Sequence, residues 1–353
     1  MRRHYLDNIR WATVLVVLVY HVFYLFNAVG VPGGGGGFSK VQVQDAVMYF
    51  VYPWFMALLF LVSGVSSRYA LERRSPKQFI RDRTVKLLVP STLGLFAFQW
   101  MVGYLNIRLG GAWDAIPPAV RYPVMVISGV GPLWFIQMLW VFSLLLVLIR
   151  KIDSGDRFYA LCGRCNLPVI LLLFLPLWGA SQILNLPVLT MYRFGIYFAA
   201  FLIGYFVFSH DEIQDKVERI HLPMLILAAA AGVAYTVYYF GRNYTDDACL
   251  KSVFTNAYLW AAILAILGCG KAWFGGTSKF ADYMTKSSFG IYIVHYLVVL
   301  SACSYLKLRT ALPVPVIYLT AVCAVLVLSP ALYELLRRIP VVRYLVLGIR
   351  KKA

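Results

Sequence analysis

Ten long apolar stretches dominate this chain, near residues 9–29, 44–66, 86–105, 131–149, 167–184, 192–208, 222–240, 253–270, 287–306 and 313–336. Each reaches or approaches the roughly 20 residues that a helix needs to cross the hydrocarbon of a bilayer. Inside lipid every backbone N–H and C=O must be satisfied within the protein, so long apolar runs read as helices. A soluble alternative fails on composition. Hydrophobic residues make up 61% of the chain and charged residues 14%, against about a quarter charged in globular domains. The sequence predicts an all-α, polytopic membrane helix bundle of about ten transmembrane helices. It forms a single domain over residues 1–353, and the connectors are too short for a soluble domain. The fifth and sixth stretches are the weakest, because Pro176 interrupts one and the other is short.

The formal charge of +18 would suggest nucleic acid in a soluble chain, but the cations are placed by topology. With the N-terminus in the cytoplasm, 24 Lys and Arg fall in inside segments and eight outside. That bias is the positive-inside pattern and puts both termini in the cytoplasm. The expected location is the inner or plasma membrane, the lipid bilayer is the first partner, and no nucleic acid is expected. The tail Arg350-Lys351-Lys352 reads as a surface for anionic headgroups. Met1-Arg2-Arg3 before an apolar run invites a signal-peptide reading, but the run is long and carries His21, so it is expected to be retained. Gly33–Gly37 reads as a flexible outer tether. Cys162 and Cys165 form a lone CxxC in a basic loop, weak evidence for zinc or redox work, and no metal is assigned.

Within the first stretch, Arg10 and His21 are eleven residues apart. At about 100° and 1.5 Å per residue they share one helix face and lie about 16 Å apart. Arg10 then sits at the cytoplasmic boundary and His21 near mid-membrane, where an ionisable side chain needs a cavity or a partner. A structural histidine bonded between helices is the plain alternative, as is a snorkelling anchor for Arg10.

Several ordered motifs carry a resemblance. Tyr5-Leu6-Asp7-x-x-Arg10 with His21, Phe60-Leu61-Val62-Ser63-Gly64 and Phe79 through Pro90 are joined by Pro132-Leu133-Trp134-Phe135 and Phe201-Leu202-Ile203-Gly204-Tyr205. Ser288 through His295 and Tyr333 through Pro340 complete the series. Together they resemble the acyltransferase-3 family of integral membrane O-acyltransferases, and the last suggests its stand-alone branch with glucan-succinylating proteins. One departure is Arg83-x-x-Lys86 where the family has Arg-x-x-Arg; lysine keeps the charge and loses the bidentate fork.

The resemblance implies an acyl group such as acetyl or succinyl, donated by cytoplasmic acyl-CoA as co-substrate with no bound cofactor. The implied acceptor is a hydroxyl on a cell-envelope glycan or related molecule. Arg10 with Arg68, Arg73, Arg74, Arg81, Arg83 and Lys86 would hold the donor phosphates, which that basic segment suits. The same cations serve equally as topogenic charge. Ser63 is grouped with the donor side, although helix packing at Ser63-Gly64 explains it as well. Neutral His21 is the expected general base. His295, about 13 Å into its helix, is its candidate partner, and Tyr292, one turn earlier, is a candidate oxyanion donor. Trp134, otherwise an interfacial aromatic, and Arg193 are assigned to the acceptor path. The competing reading is a transporter or channel whose intramembrane histidines relay protons or bind substrate; no internal repeat supports it. The oligomeric state is left open.

Overall fold

In the computed structural model, residues 3–186 and 192–350 are described. Among them there is no strand; an isolated bridge joins Asn185 to Arg193. Eight runs are long and apolar enough to cross a membrane: α1 (His4–Leu25), α2 (Val43–Arg73), α3 (Pro76–Leu109), α5 (Gly131–Ile152), α10 (His221–Tyr239), α11 (Val253–Trp273), α12 (Lys279–Arg309) and α13 (Val314–Leu336). Two bent pairs raise the number to ten, α6 (Arg157–Gly163) with α7 (Leu167–Ser181) at 111° and α8 (Phe194–Phe206) with α9 (Asp211–Arg219) at 107°. Two short helices, α4 (Arg121–Ser128) and α14 (Pro340–Leu347), complete the set used below. The architecture is all-α and polytopic, as the apolar pattern predicts.

The fifth and sixth stretches differ in detail. At 1.5 Å per residue, the 13 residues of α8 span only about 20 Å, short of a hydrocarbon core of roughly 30 Å. The bend ahead of α7 is written locally: Asn166 Oδ1 accepts the Val169 N–H at 3.1 Å, and Pro168 sits in the first turn. In α9, Ile213 and Val217 are buried, with Asp211 and Glu212 opening the helix and Lys216 and Arg219 closing it. That order of charge matches the helix dipole, and the two-faced pattern suits a membrane surface better than its interior.

The chain divides into two units, Met1–Thr13 with Tyr49–Ile80 and Val141–Thr285, and Val14–Met48 with Arg81–Trp140 and Lys286–Ala353. In the first, α2 and α8 meet through glycines. A Cβ on Gly64 would lie 1.9 Å from the Phe201 carbonyl oxygen, and one on Gly204 2.0 Å from that of Leu61. Without a solvent-driven hydrophobic effect between helices, such small-residue contacts carry the packing. Phe60 adds a stacked contact to Tyr197 at 4.9 Å. Arg68 is buried here: its guanidinium bonds Asp156 through two nitrogens at 2.8 and 3.1 Å and Glu72 at 2.9 Å. It also lies 3.6 Å over the Tyr159 ring.

In the second unit, Gln99 donates to the Ile293 carbonyl at 2.8 Å, tying α3 to α12. Gly290 lets the Tyr333 ring of α13 onto α12, since a Cβ there would meet that ring at 2.2 Å. Gly33–Gly37, expected as a free tether, is bonded into place. The Gly35 N–H donates to the Leu25 carbonyl at 2.6 Å, and the Lys307 ammonium donates to the carbonyls of Gly35, Gly36 and Gly37. The tether reading rested on composition, which does not register a lysine 270 positions away. Met1-Arg2 and Lys351-Lys352, the ends singled out for a leader and a lipid-binding tail, lie outside the described residues.

Candidate active site

α1 ends earlier than its apolar run. Asn27 Nδ2 takes the Tyr24 carbonyl, Asn27 Oδ1 accepts the Val31 N–H, and Gly30 has φ +72°. An amide side chain that captures backbone groups and a left-handed glycine turn the chain out of the helix. His21 therefore lies one helical turn, about 6 Å, from that end of α1. α12 also begins earlier, at Lys279, where Ser278 Oγ accepts the Ala281 N–H at 3.1 Å. His295 is thus about 24 Å from the start of its helix, where about 13 Å was expected from a start near residue 287.

The two histidines meet. His295 Nε2 is 3.3 Å from His21 Nδ1, with ring centroids 5.0 Å apart. Each ring also binds its own helix: His21 Nδ1 is 2.8 Å from the Val17 carbonyl, and His295 Nδ1 is 2.6 Å from that of Tyr292. A carbonyl only accepts, so both Nδ1 atoms carry hydrogen. Neutral His295 then presents Nε2 as a lone pair, which receives a share of the His21 Nδ1–H. His21 is left with Nε2 unprotonated. His295 is fully buried and His21 half-buried.

Tyr292 is placed otherwise than expected. Its hydroxyl donates to the Pro132 carbonyl at 2.5 Å, so it anchors α12 to the start of α5 and is not an oxyanion donor. Beside it, Gly131 at φ +40° lies against the Tyr296 ring; a Cβ would stand 3.1 Å from that ring. The segment Gly131-Pro132 therefore holds α12 at two tyrosines that flank His295. Trp134 is buried, edge-on to Phe135 at 6.4 Å.

His21 sits among Tyr20, Tyr24 and Tyr296, with centroids at 5.3, 5.9 and 5.2 Å. Tyr296, Tyr24 and Gln99 escaped the reading of the sequence. Tyr24 lies three residues after His21, on the same face, and that spacing was the available signal. Tyr296 and Gln99 depend on helix contacts that leave no mark in spacing.

The proposed donor residues separate. Arg10 bonds Asp7 at 3.0 Å and Ser66 Oγ, half-buried on α1. Arg68 is held by Asp156, Glu72 and Tyr159 as described, so its fork is engaged within the fold and it leaves the donor set. Arg73, Arg74, Arg81 and Lys86 are exposed and Arg83 is half-buried. Arg68, Arg73 and Arg74 belong to the first unit, and Arg81, Arg83 and Lys86 to the second. Lys86 also lies over the Phe289 ring at 5.1 Å. Ser63 is half-buried and its carbonyl accepts the Ser67 hydroxyl, next to the Gly64 contact. Arg193 is buried in the first unit and donates to the Leu250 carbonyl at 3.1 Å, a bond that fixes the start of α11. The hydroxyl of Tyr197 also bonds Arg193. Cys162 and Cys165 are unpaired thiols.

Outside the membrane-spanning segments, the Asp156 carboxyl is held below the usual carboxylate range by its bond to Arg68. His210 is pushed below the usual imidazole range by burial, against the Tyr159 carbonyl that its Nε2 contacts at 3.0 Å.

No curated protein and no solved structure matches this chain. The model of the acyltransferase-3 family, described as an acyltransferase domain, matches residues 3–334. That match covers the helix that carries Arg10 and His21 and the helix that brings His295 to it. On that match the chain belongs to the acyltransferase-3 family, and it is a multi-pass membrane O-acyltransferase.

Proposed function

We propose that this enzyme moves an acyl group, such as acetyl or succinyl, from cytoplasmic acyl-CoA to a hydroxyl of a cell-envelope glycan or related acceptor, in the inner or plasma membrane. The observation that carries the reading is the geometry of the histidine pair: with Nδ1 bonded to Val17 and facing His295, His21 is left with Nε2 as a lone pair on a ring oriented from behind. The acceptor hydroxyl gives its proton to Nε2 as its oxygen bonds the thioester carbonyl carbon. The C–S bond then breaks, and the imidazolium returns the proton to the departing thiolate. During that interval Nδ1–H stays bonded to the Val17 carbonyl and to His295 Nε2, so the ring need not reorient.

Donor phosphates are assigned to Arg10, Arg73 and Arg74 in the first unit, and the basic segment Arg81, Arg83 and Lys86 is kept as the family resemblance implies it. The transporter reading has no observation of its own, since a base oriented by a second histidine serves acyl transfer directly. Mass spectrometry of envelope glycans tests the proposal, comparing cells with the gene, without it, and with a His21→Gln copy. An acyl mass increment present only with the parent gene is expected. The same acyl pattern in all three would overturn it.

A further inference from the structure

The glycine-rich segment after α1 has the contacts of a closure. Tyr24, whose ring packs on His21, donates its hydroxyl to the Pro32 carbonyl. Gly34 and Gly35 fold back onto the last turn of α1, where Gly35 N–H takes the Leu25 carbonyl and a Cβ on Gly34 would meet Asn27 Nδ2. Residues 32–37 thus lie over the helix end that begins one turn above His21. One side chain holds the far end of this strap. Lys307, on the helix that carries His295, spends its three N–H bonds on the carbonyls of Gly35, Gly36 and Gly37 at 2.9, 2.5 and 3.3 Å. Its ammonium also lies over the Phe38 ring at 5.2 Å.

The base of the strap is separately fixed. Gln42 Nε2 donates to the Phe26 carbonyl, to Asp45 and to the Tyr318 hydroxyl, and Gln42 Oε1 accepts the Phe38 N–H. The base is fixed at Gln42, residues 32–35 are tied back to α1 by Tyr24 and the Leu25 carbonyl, and Lys307 is the side chain that ties the glycines to α12. Five successive glycines bring no side chains of their own to pack, so moving this segment gives up few side-chain contacts.

We propose that Lys307 is a selectivity residue for acyl transfer: it latches residues 32–37 over the end of α1, one turn beyond His21, so that an acceptor hydroxyl, and not water, meets the acyl donor. Rested on the donor and base assigned above, the competing reaction is hydrolysis. The oxygen of water bonds the thioester carbonyl carbon, the C–S bond breaks, and the water proton passes through His21 to the thiolate. Closing elements exclude water from reactive acyl groups in this manner.

The test uses the full-length protein in reconstituted vesicles and two readouts. Lys307→Met keeps the long stem over Phe38 and removes the ammonium. The ratio of acyl-CoA hydrolysis to acyl transfer is expected to rise about tenfold or more, because one hydrogen bond to a charged group alone shifts an opening equilibrium by roughly that factor. The second readout places a cysteine under the strap, by Ala28→Cys, since a Cβ on Gly37 would stand 2.8 Å from the Ala28 Cβ. A membrane-impermeant maleimide should label that cysteine faster when combined with Lys307→Met, scored on its own peptide by mass spectrometry. Equal labelling rates with and without the lysine overturn the latch. Faster labelling with an unchanged hydrolysis-to-transfer ratio overturns the selectivity role. A parent protein that uses no acyl-CoA overturns the donor reading, and the selectivity role with it, while the labelling rate still reports on the latch.

Discussion

His21→Gln is the substitution whose outcome is most constrained by the site. Glutamine can keep a donor to the Val17 carbonyl, at the position where His21 Nδ1 stands 2.8 Å away. It cannot accept a proton at neutral pH, so it removes the base and little else. General bases contribute about 10²–10⁴-fold, which at about 1.36 kcal/mol per decade is roughly 2.7–5.4 kcal/mol of transition-state stabilisation. His295→Gln should cost much less. Its contact to His21 is 3.3 Å long and shares a hydrogen already committed to Val17. A net hydrogen bond of about 0.5–1.5 kcal/mol converts to about a 2- to 13-fold loss. The assay is transfer from radiolabelled acyl-CoA to envelope acceptor in vesicles, with donor binding measured on the same preparations to show that each variant is folded. Transfer by His21→Gln within a few-fold of the parent, at unchanged donor binding, would refute the assignment of Nε2 as the base. A His295→Gln loss as large as that of His21→Gln would instead show that the pair acts as one unit.

Arg10→Ala should weaken acyl-CoA binding by about tenfold or more at low salt, the worth of a hydrogen bond to a charged group, with a smaller loss at high salt; equal affinity by titration would remove Arg10 from the donor site. Gly64→Val must separate α2 from α8, because its Cβ would fall 1.9 Å from the Phe201 carbonyl. The expected loss is about 1–3 kcal/mol, read as a lower unfolding midpoint in detergent, and an unchanged midpoint would contradict the close approach. Asp156 has φ 51°, which asparagine also adopts, so Asp156→Asn tests the charge on Arg68 without disturbing the turn. The Asp156 carboxyl is held below its ordinary range by Arg68. Its contribution is therefore present above that range and lost as pH falls through the folded value, and the gap in thermal midpoint between parent and Asp156→Asn should close in acid. A gap independent of pH would show that the ion pair does not stabilise the fold.

Much of this protein could be read from its residues in order. Runs of apolar residues determine helices in lipid because nothing else there satisfies the backbone. The eleven-residue spacing of Arg10 and His21 fixed their common face, since helix geometry is local. Where α1 stops was decided by Asn27 and Gly30 together, and that set His21 one turn from a helix end. Facts that depend on a second helix had no local signal. Tyr292 shares a face with His295, yet its hydroxyl is consumed by a carbonyl 160 positions away. Arg68 stands in a basic run that suits phosphate, yet Asp156, 88 positions on, takes its fork. The glycine run reads as a tether until Lys307 closes on it from α12. Side-chain type and spacing say what a residue is able to bond; only the tertiary fold decides which partners come within reach, because those partners stand on other helices.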